Sequence, residues 1–93
     1  MLNRRAKRRY LLIIHSGSAN DTMNVIARRC SDLFGSIATE KAAIRLVKSE
    51  SNTTVVKCRL DQLNNVLASI ALSEPPVVTL EMSGSVKGLR RRT

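Results

Sequence analysis

Hydrophobic residues recur along this 93-residue chain with two different periods, and the switches between them mark the elements. Residues 10–15, Tyr10-Leu11-Leu12-Ile13-Ile14-His15, form a dense apolar run closed by the turn residues Gly17 and Ser18, which predicts a buried strand. Ser18-Ala19-Asn20-Asp21 offers a Ser-x-x-Asp capping pattern, after which Met23, Ile26, Ala27, Cys30, Leu33, Phe34 and Ile37 return at i, i+3, i+4 and i+7 spacing. This predicts an amphipathic helix over residues 20–34, with Gly35 as its C-cap and a short second helical piece over 36–43. Residues 44–48 alternate apolar with basic and predict a second strand. A polar turn over 49–53 leads to a third strand over 54–60, with Val56, Cys58 and Leu60 on one face and Lys57 and Arg59 on the other.

Asp61 is placed to cap another helix, whose stripe is Leu63, Val66, Leu67, Ile70 and Ala71. Ser73-Glu74-Pro75-Pro76 ends it, because paired prolines cannot continue a helix. Residues 77–82 predict a fourth strand, with Val78, Leu80 and Met82 facing one way and Thr79 and Glu81 the other. Strand, helix, strand, strand, helix, strand is the order of the α+β, ferredoxin-like split β-α-β sandwich: a four-stranded antiparallel sheet with helices on one face, here with an extra short helix after the first.

The length suits a single domain over 1–93, with basic extensions at 1–9 and 87–93. Hydrophobic residues at 43% and charged residues at 25% match a folded globular chain rather than a disordered one. The longest apolar run, Leu11-Leu12-Ile13-Ile14, is far short of the roughly 20 residues that span a bilayer, and the basic start leads into no secretory signal. No membrane partner is expected, and the expected location is cytoplasmic, or nuclear in a eukaryote. Cys30 and Cys58 lie on apolar stripes without His or Cys at ligand spacing, so they are expected to be reduced core residues.

Charge changes the picture. Residues 1–9 carry Arg4, Arg5, Lys7, Arg8 and Arg9, and residues 87–93 carry Lys87, Arg90, Arg91 and Arg92, while residues 10–86 hold seven cations against seven anions. The whole excess of +9 therefore sits in two terminal clusters. In the expected fold the fourth strand runs antiparallel beside the first, so the clusters converge on one corner. Separate tails would suit solvation or a nuclear-localisation signal; a joined patch of nine cations suits a polyanion.

Catalytic chemistry is missing from the pattern. His15 is the sole histidine, it ends a buried strand, and no Ser or Cys nucleophile is fixed beside it by a motif. The Gly17-Ser18 and Gly35-Ser36 turns lack the glycines and lysine of a phosphate loop. His15-Ser16-Gly17-Ser18 has neither the arginine of an acylphosphatase loop nor paired thiols for a metal. No catalytic residue, metal ligand or cofactor site is assigned. Aromatic residues at 2%, Tyr10 and Phe34, argue against base stacking on the sheet as in an RNA-recognition motif, so RNA contacts should be mainly to phosphates.

The chain resembles the ribonuclease P protein component 2 family, the small ferredoxin-like subunit of the archaeal and eukaryotic enzyme. The likeness is carried by Arg8-Arg9-Tyr10-Leu11-Leu12, Leu33-Phe34-Gly35, Ala38-Thr39-Glu40-Lys41-Ala42, Val55-Val56-Lys57-Cys58-Arg59 and Met82-Ser83-Gly84-Ser85-Val86-Lys87-Gly88-Leu89-Arg90. The family tends to end on a Ser-Gly-Thr-Ile-Lys-like turn; Ser85 stands here where Thr is more usual, and Arg90-Arg91-Arg92 is heavier in charge. The resemblance implies an RNA-binding accessory subunit that supports a catalytic RNA in removing the 5′ leader of precursor tRNA. It implies catalytic magnesium held by the RNA, no catalysis by the protein alone, and ribonuclease P RNA, the barrel-like protein component 3 and a second copy of the chain as partners. The helical segment at 35–43 is a candidate protein interface, or simply a cover for the core. Other readings are a ribosomal-type RNA-binding protein of the same fold, and a regulatory ligand-binding domain, which would have little use for nine clustered cations.

Overall fold

The computed structural model describes residues 7–89. In chain order these form β1 (Arg8–Ile14), α1 (Ala19–Phe34), α2 (Ser36–Ala42), β2 (Arg45–Glu50), β3 (Thr53–Arg59), a 3-10 turn (Leu60–Gln62), α3 (Leu63–Ala71), β4 (Val78–Ser83) and the one-turn helix α4 (Val86–Leu89). The sheet order is β2-β3-β1-β4, antiparallel throughout. This is the ferredoxin-like split β-α-β sandwich that the element order predicts.

Alternation along β1 and β3 creates the core. Leu11 and Ile13 from β1 and Val56 and Cys58 from β3 point to one side, where Ile26 of α1, Ala42 of α2 and Val66 and Ile70 of α3 close over them. Each fully buried Leu, Ile or Val contributes about 1.5–3 kcal/mol, so this cluster dominates stability. Both cysteines are free and buried, and burial pushes the Cys58 thiol up to about 11. Buried polar groups on the same side are satisfied locally: the Ser69 and Ser73 hydroxyls donate to the carbonyls of Asn65 and Ser69, each at 2.7 Å.

The predicted boundaries of α1 follow from its caps. Ser18 Oγ accepts from the Asp21 amide at 3.1 Å, and Gly35 ends the helix with φ of 94°, a conformation that costs a residue with a Cβ strain. Other expectations are corrected. Leu33, Phe34 and Ile37 extend the apolar stripe yet stand 41%, 40% and 70% exposed, because periodicity identifies an apolar face without supplying an element to cover it. Asp61 does not cap α3: the chain passes through the 3-10 turn, Gln62 takes the N-cap position without a side-chain bond, and Asp61 accepts from Arg59 at 2.7 Å instead. Leu60, expected on the face of Val56 and Cys58, begins that turn.

In β4 the register against β1 shifts between Leu12 and Ile13. Met82 pairs with Leu11 on the helix side while Val78 pairs with Ile14 on the other, so the expected single face of Val78, Leu80 and Met82 is split. Helices α1, α2 and α3 share one face, whereas α4 turns back across the opposite one, burying Leu89 against Leu12, Val55 and Tyr10. Among the described residues no other element covers that opposite face.

Candidate nucleic-acid interface

The geometry begins at the end of the sheet where β1 starts. Arg8 pairs with Arg59, Tyr10 pairs with Lys57 on one side and Ser83 on the other, and Arg45 pairs with Lys57. Directly paired residues point to the same face, so Arg8, Tyr10, Arg45, Lys57 and Arg59 all project on the open side. Lys48, paired with Val55 beyond the irregularity in β2, joins them one row further along. The hydrogen bond from the Leu60 amide to the Lys7 carbonyl, 2.8 Å, continues the β1–β3 ladder and places Lys7 at the same end.

Of the nine cations assigned from sequence, Lys7, Arg8, Arg9 and Lys87 lie within the described residues; Arg4, Arg5, Arg90, Arg91 and Arg92 lie outside them. The meeting of the first and fourth strands is present: Tyr10 pairs with Ser83, and the Arg9 guanidinium lies beside Gly84, its Nη1 3.4 Å from where a Cβ would stand. Arg9 Nη1 also donates to the Arg8 carbonyl at 3.2 Å. Lys87, three residues past Gly84, is exposed on α4, which packs against β1 and β4. The segment after β4 thus folds back over the open face instead of simply leaving the corner.

Sequence reasoning missed the polarity of the neutral body. Arg45, Lys48, Lys57 and Arg59 share the open face on β2 and β3, whereas the register places Glu50, paired with Thr53, at the far end of the strands and Glu81, paired with Leu12, on β4 across the sheet. The alternation of basic residues with Val and Leu in the second and third strands was the available signal. Asp61 offsets only Arg59, in an exposed pair of the kind worth about 0–1 kcal/mol. The Arg59 Nε is buried and makes no hydrogen bond among the described residues. Tyr10 stands half-buried among these cations, the single aromatic on this sheet. Its strand position was legible, but its face was not.

The loop after β1 is built for structure. His15 Nδ1 lies 2.9 Å from the Gly17 carbonyl, which can only accept, so Nδ1 donates there, and Nε2 lies 2.6 Å from the Thr54 hydroxyl. The His15 amide donates to the Asn52 carbonyl at 2.8 Å. The ring thus braces the loop internally through Gly17 and ties it to the β2–β3 hairpin through Thr54. A cleft beside it is lined by Gly17, Asp21, Thr22, Val25, Pro75 and Val77. Among the described residues no three His, Cys, Asp or Glu side chains are grouped to hold a metal, and no helix is long and apolar enough to cross a membrane.

Fold and surface together define a ferredoxin-like α+β domain with one cationic sheet end. No protein-family profile matches the chain, and no curated protein matches it in sequence. A chain in the cryo-EM structure of yeast ribonuclease MRP is similar in fold, with a TM-score of 0.64 and 12% identity over 90% of this chain and 79% of that one.

Proposed function

We infer that this protein is an RNA-binding accessory subunit of a ribonuclease P-type ribonucleoprotein, supporting a catalytic RNA in 5′-leader removal from precursor tRNA. The observation that carries the reading is the junction of β1 with the turn after β4, where Tyr10 pairs with Ser83 and Arg9 lies beside Gly84, in a fold similar to that of a ribonuclease MRP chain. Two of the five sequence motifs that resemble protein component 2, Arg8 to Leu12 and Met82 to Arg90, lie on these same two segments. In this reading Arg4, Arg5, Lys7, Arg8, Arg9, Lys87, Arg90, Arg91 and Arg92 contact phosphates, releasing counterions and orienting the RNA without reading its sequence. Magnesium resides on the RNA, and protein component 3 and a second copy of the chain are the protein partners. The one domain with two basic extensions works in the cytoplasm, or in the nucleus of a eukaryote.

The test is native purification of the tagged protein followed by sequencing of the bound RNA. A ribonuclease P or MRP RNA is the expected species; enrichment of ribosomal RNA would replace this reading with the ribosomal one. Purified protein with precursor tRNA and magnesium should give no site-specific cleavage until the RNA subunit is added.

A further inference from the structure

The open face of the sheet holds an arrangement that the fold alone does not favour. Arg8 sits directly opposite Arg59, and Arg45 directly opposite Lys57. Like charges at facing positions of antiparallel strands destabilise a sheet, in contrast to the opposite-charge pairs that support one. Two such pairs share one face and one end, with Lys48 a row further along; the acidic groups near them are Asp61, paired with Arg59, and Glu81, which stands opposite Leu12 on β4 at the other side of the sheet. The cost is removed by an anion with several charges spread over the strands. Paired strands lie about 4.8 Å apart and alternate residues about 6.7 Å apart, so these cations form a grid over three adjacent strands rather than a pocket for one small anion.

We propose that this grid, Arg8, Arg45, Lys48, Lys57 and Arg59, is a second phosphate-binding surface, along which the backbone of RNA crosses β1, β3 and β2 away from the corner. The inference rests on the RNA-binding part of the function proposed above and extends it from the chain ends to the folded sheet. With Tyr10 the single aromatic on this face, the surface follows the backbone rather than a series of stacked bases. The lone Leu12, Val55 and Leu89 cluster bounds it, since α4 covers the sheet there. Arg59 keeps Asp61 on one nitrogen, which orients the guanidinium while leaving other N–H groups to face a phosphate.

The experiment compares the full-length parent with two triple variants of equal charge. One carries Arg45→Gln, Lys48→Gln and Lys57→Gln on the sheet; the other carries Arg28→Gln, Arg29→Gln and Lys41→Gln on α1 and α2. Affinity for a transcribed ribonuclease P RNA and for an unrelated structured transcript is measured across a salt series, and thermal unfolding checks that each variant folds. The sheet variant should bind both RNAs at least about tenfold more weakly near 0.15 M salt, with a log–log salt slope shallower by about 2. The helix variant should change far less. Equal losses in both variants would reduce the effect to net charge and overturn the inference, as would parental affinity and slope in the sheet variant; either result leaves the proposed function standing. A parent that binds neither RNA overturns both.

Discussion

The two faces of the sheet are made from the same strands and differ in almost every physical respect. In β3, Val56 and Cys58 enter a closed core under three helices, while Lys57 and Arg59, their immediate neighbours, face outward beside Arg8 and Arg45. The helix face holds the buried core and carries stability. Among the described residues the open face is covered where Leu89 of α4 rests on Leu12 and Val55, and it collects charges that oppose one another. A period of two residues is enough to divide one strand between holding the fold together and presenting a binding surface.

The sharpest break in this comparison is on the helix face. Leu11→Ala, at a fully buried position, should destabilise by about 2–5 kcal/mol in denaturant unfolding, without changing the salt dependence of RNA binding by the folded fraction. A parallel loss of salt slope would show that the two faces are not separable. Cys58 gives a pH-dependent version of the same test. Its thiol titrates near 9 when exposed and at about 11 in the fold, so the folded state holds this proton more tightly. The resulting contribution is complete below pH 9 and is lost as pH rises from 9 past 11, on the order of 3 kcal/mol in all. The parent should therefore lose stability relative to Cys58→Val over that window, and the difference should be flat below it.

The covered part of the open face should respond less. Leu89→Ala removes the anchor of α4, but a one-turn helix can undock locally, which limits the global loss to under about 2 kcal/mol. Hydrogen exchange should rise in α4 before it rises in β1 or β3. Ser18→Ala removes a cap outside the sheet and should cost about 1 kcal/mol, a reference for a purely local effect. The smallest effect has the opposite sign: Lys57→Gln relieves the repulsion with Arg45 and should leave stability unchanged or raise it by a few tenths of a kcal/mol. A marked destabilisation would mean that Lys57 supports the sheet through its aliphatic stem.

Much of this architecture is visible in the chain before it folds. The six main elements and the short α2 follow from hydrophobic period, from the Ser18 and Gly35 caps and from the proline stop, because each is governed by residues a few positions apart. The errors share a physical origin. Asp61 is a sound capping residue by type, but Arg59 competes for its carboxylate and the chain takes a 3-10 turn. Strand four alternates regularly in sequence, but its register with β1 shifts beside Leu12, and pairing overrides pattern. Leu33, Phe34 and Ile37 continue an apolar stripe past the place where other elements cover it.

The candidate surface divides in the same way. Arg8, Arg9 and Lys87 are conspicuous because their clusters are contiguous in sequence, and the antiparallel neighbour relation of the first and fourth strands is enough to bring Arg9 beside the turn after β4. Arg45, Lys48, Lys57 and Arg59 are diluted by the acidic residues of a formally neutral body, and their common face exists only once β2, β3 and β1 are paired in register. Sequence by itself determined the six main elements and α2, their order and the charge at the two ends, all set by local spacing. Tertiary structure decided which face α4 covers, where the strand registers shift and which scattered cations become neighbours, because those depend on contacts between residues that the chain keeps far apart.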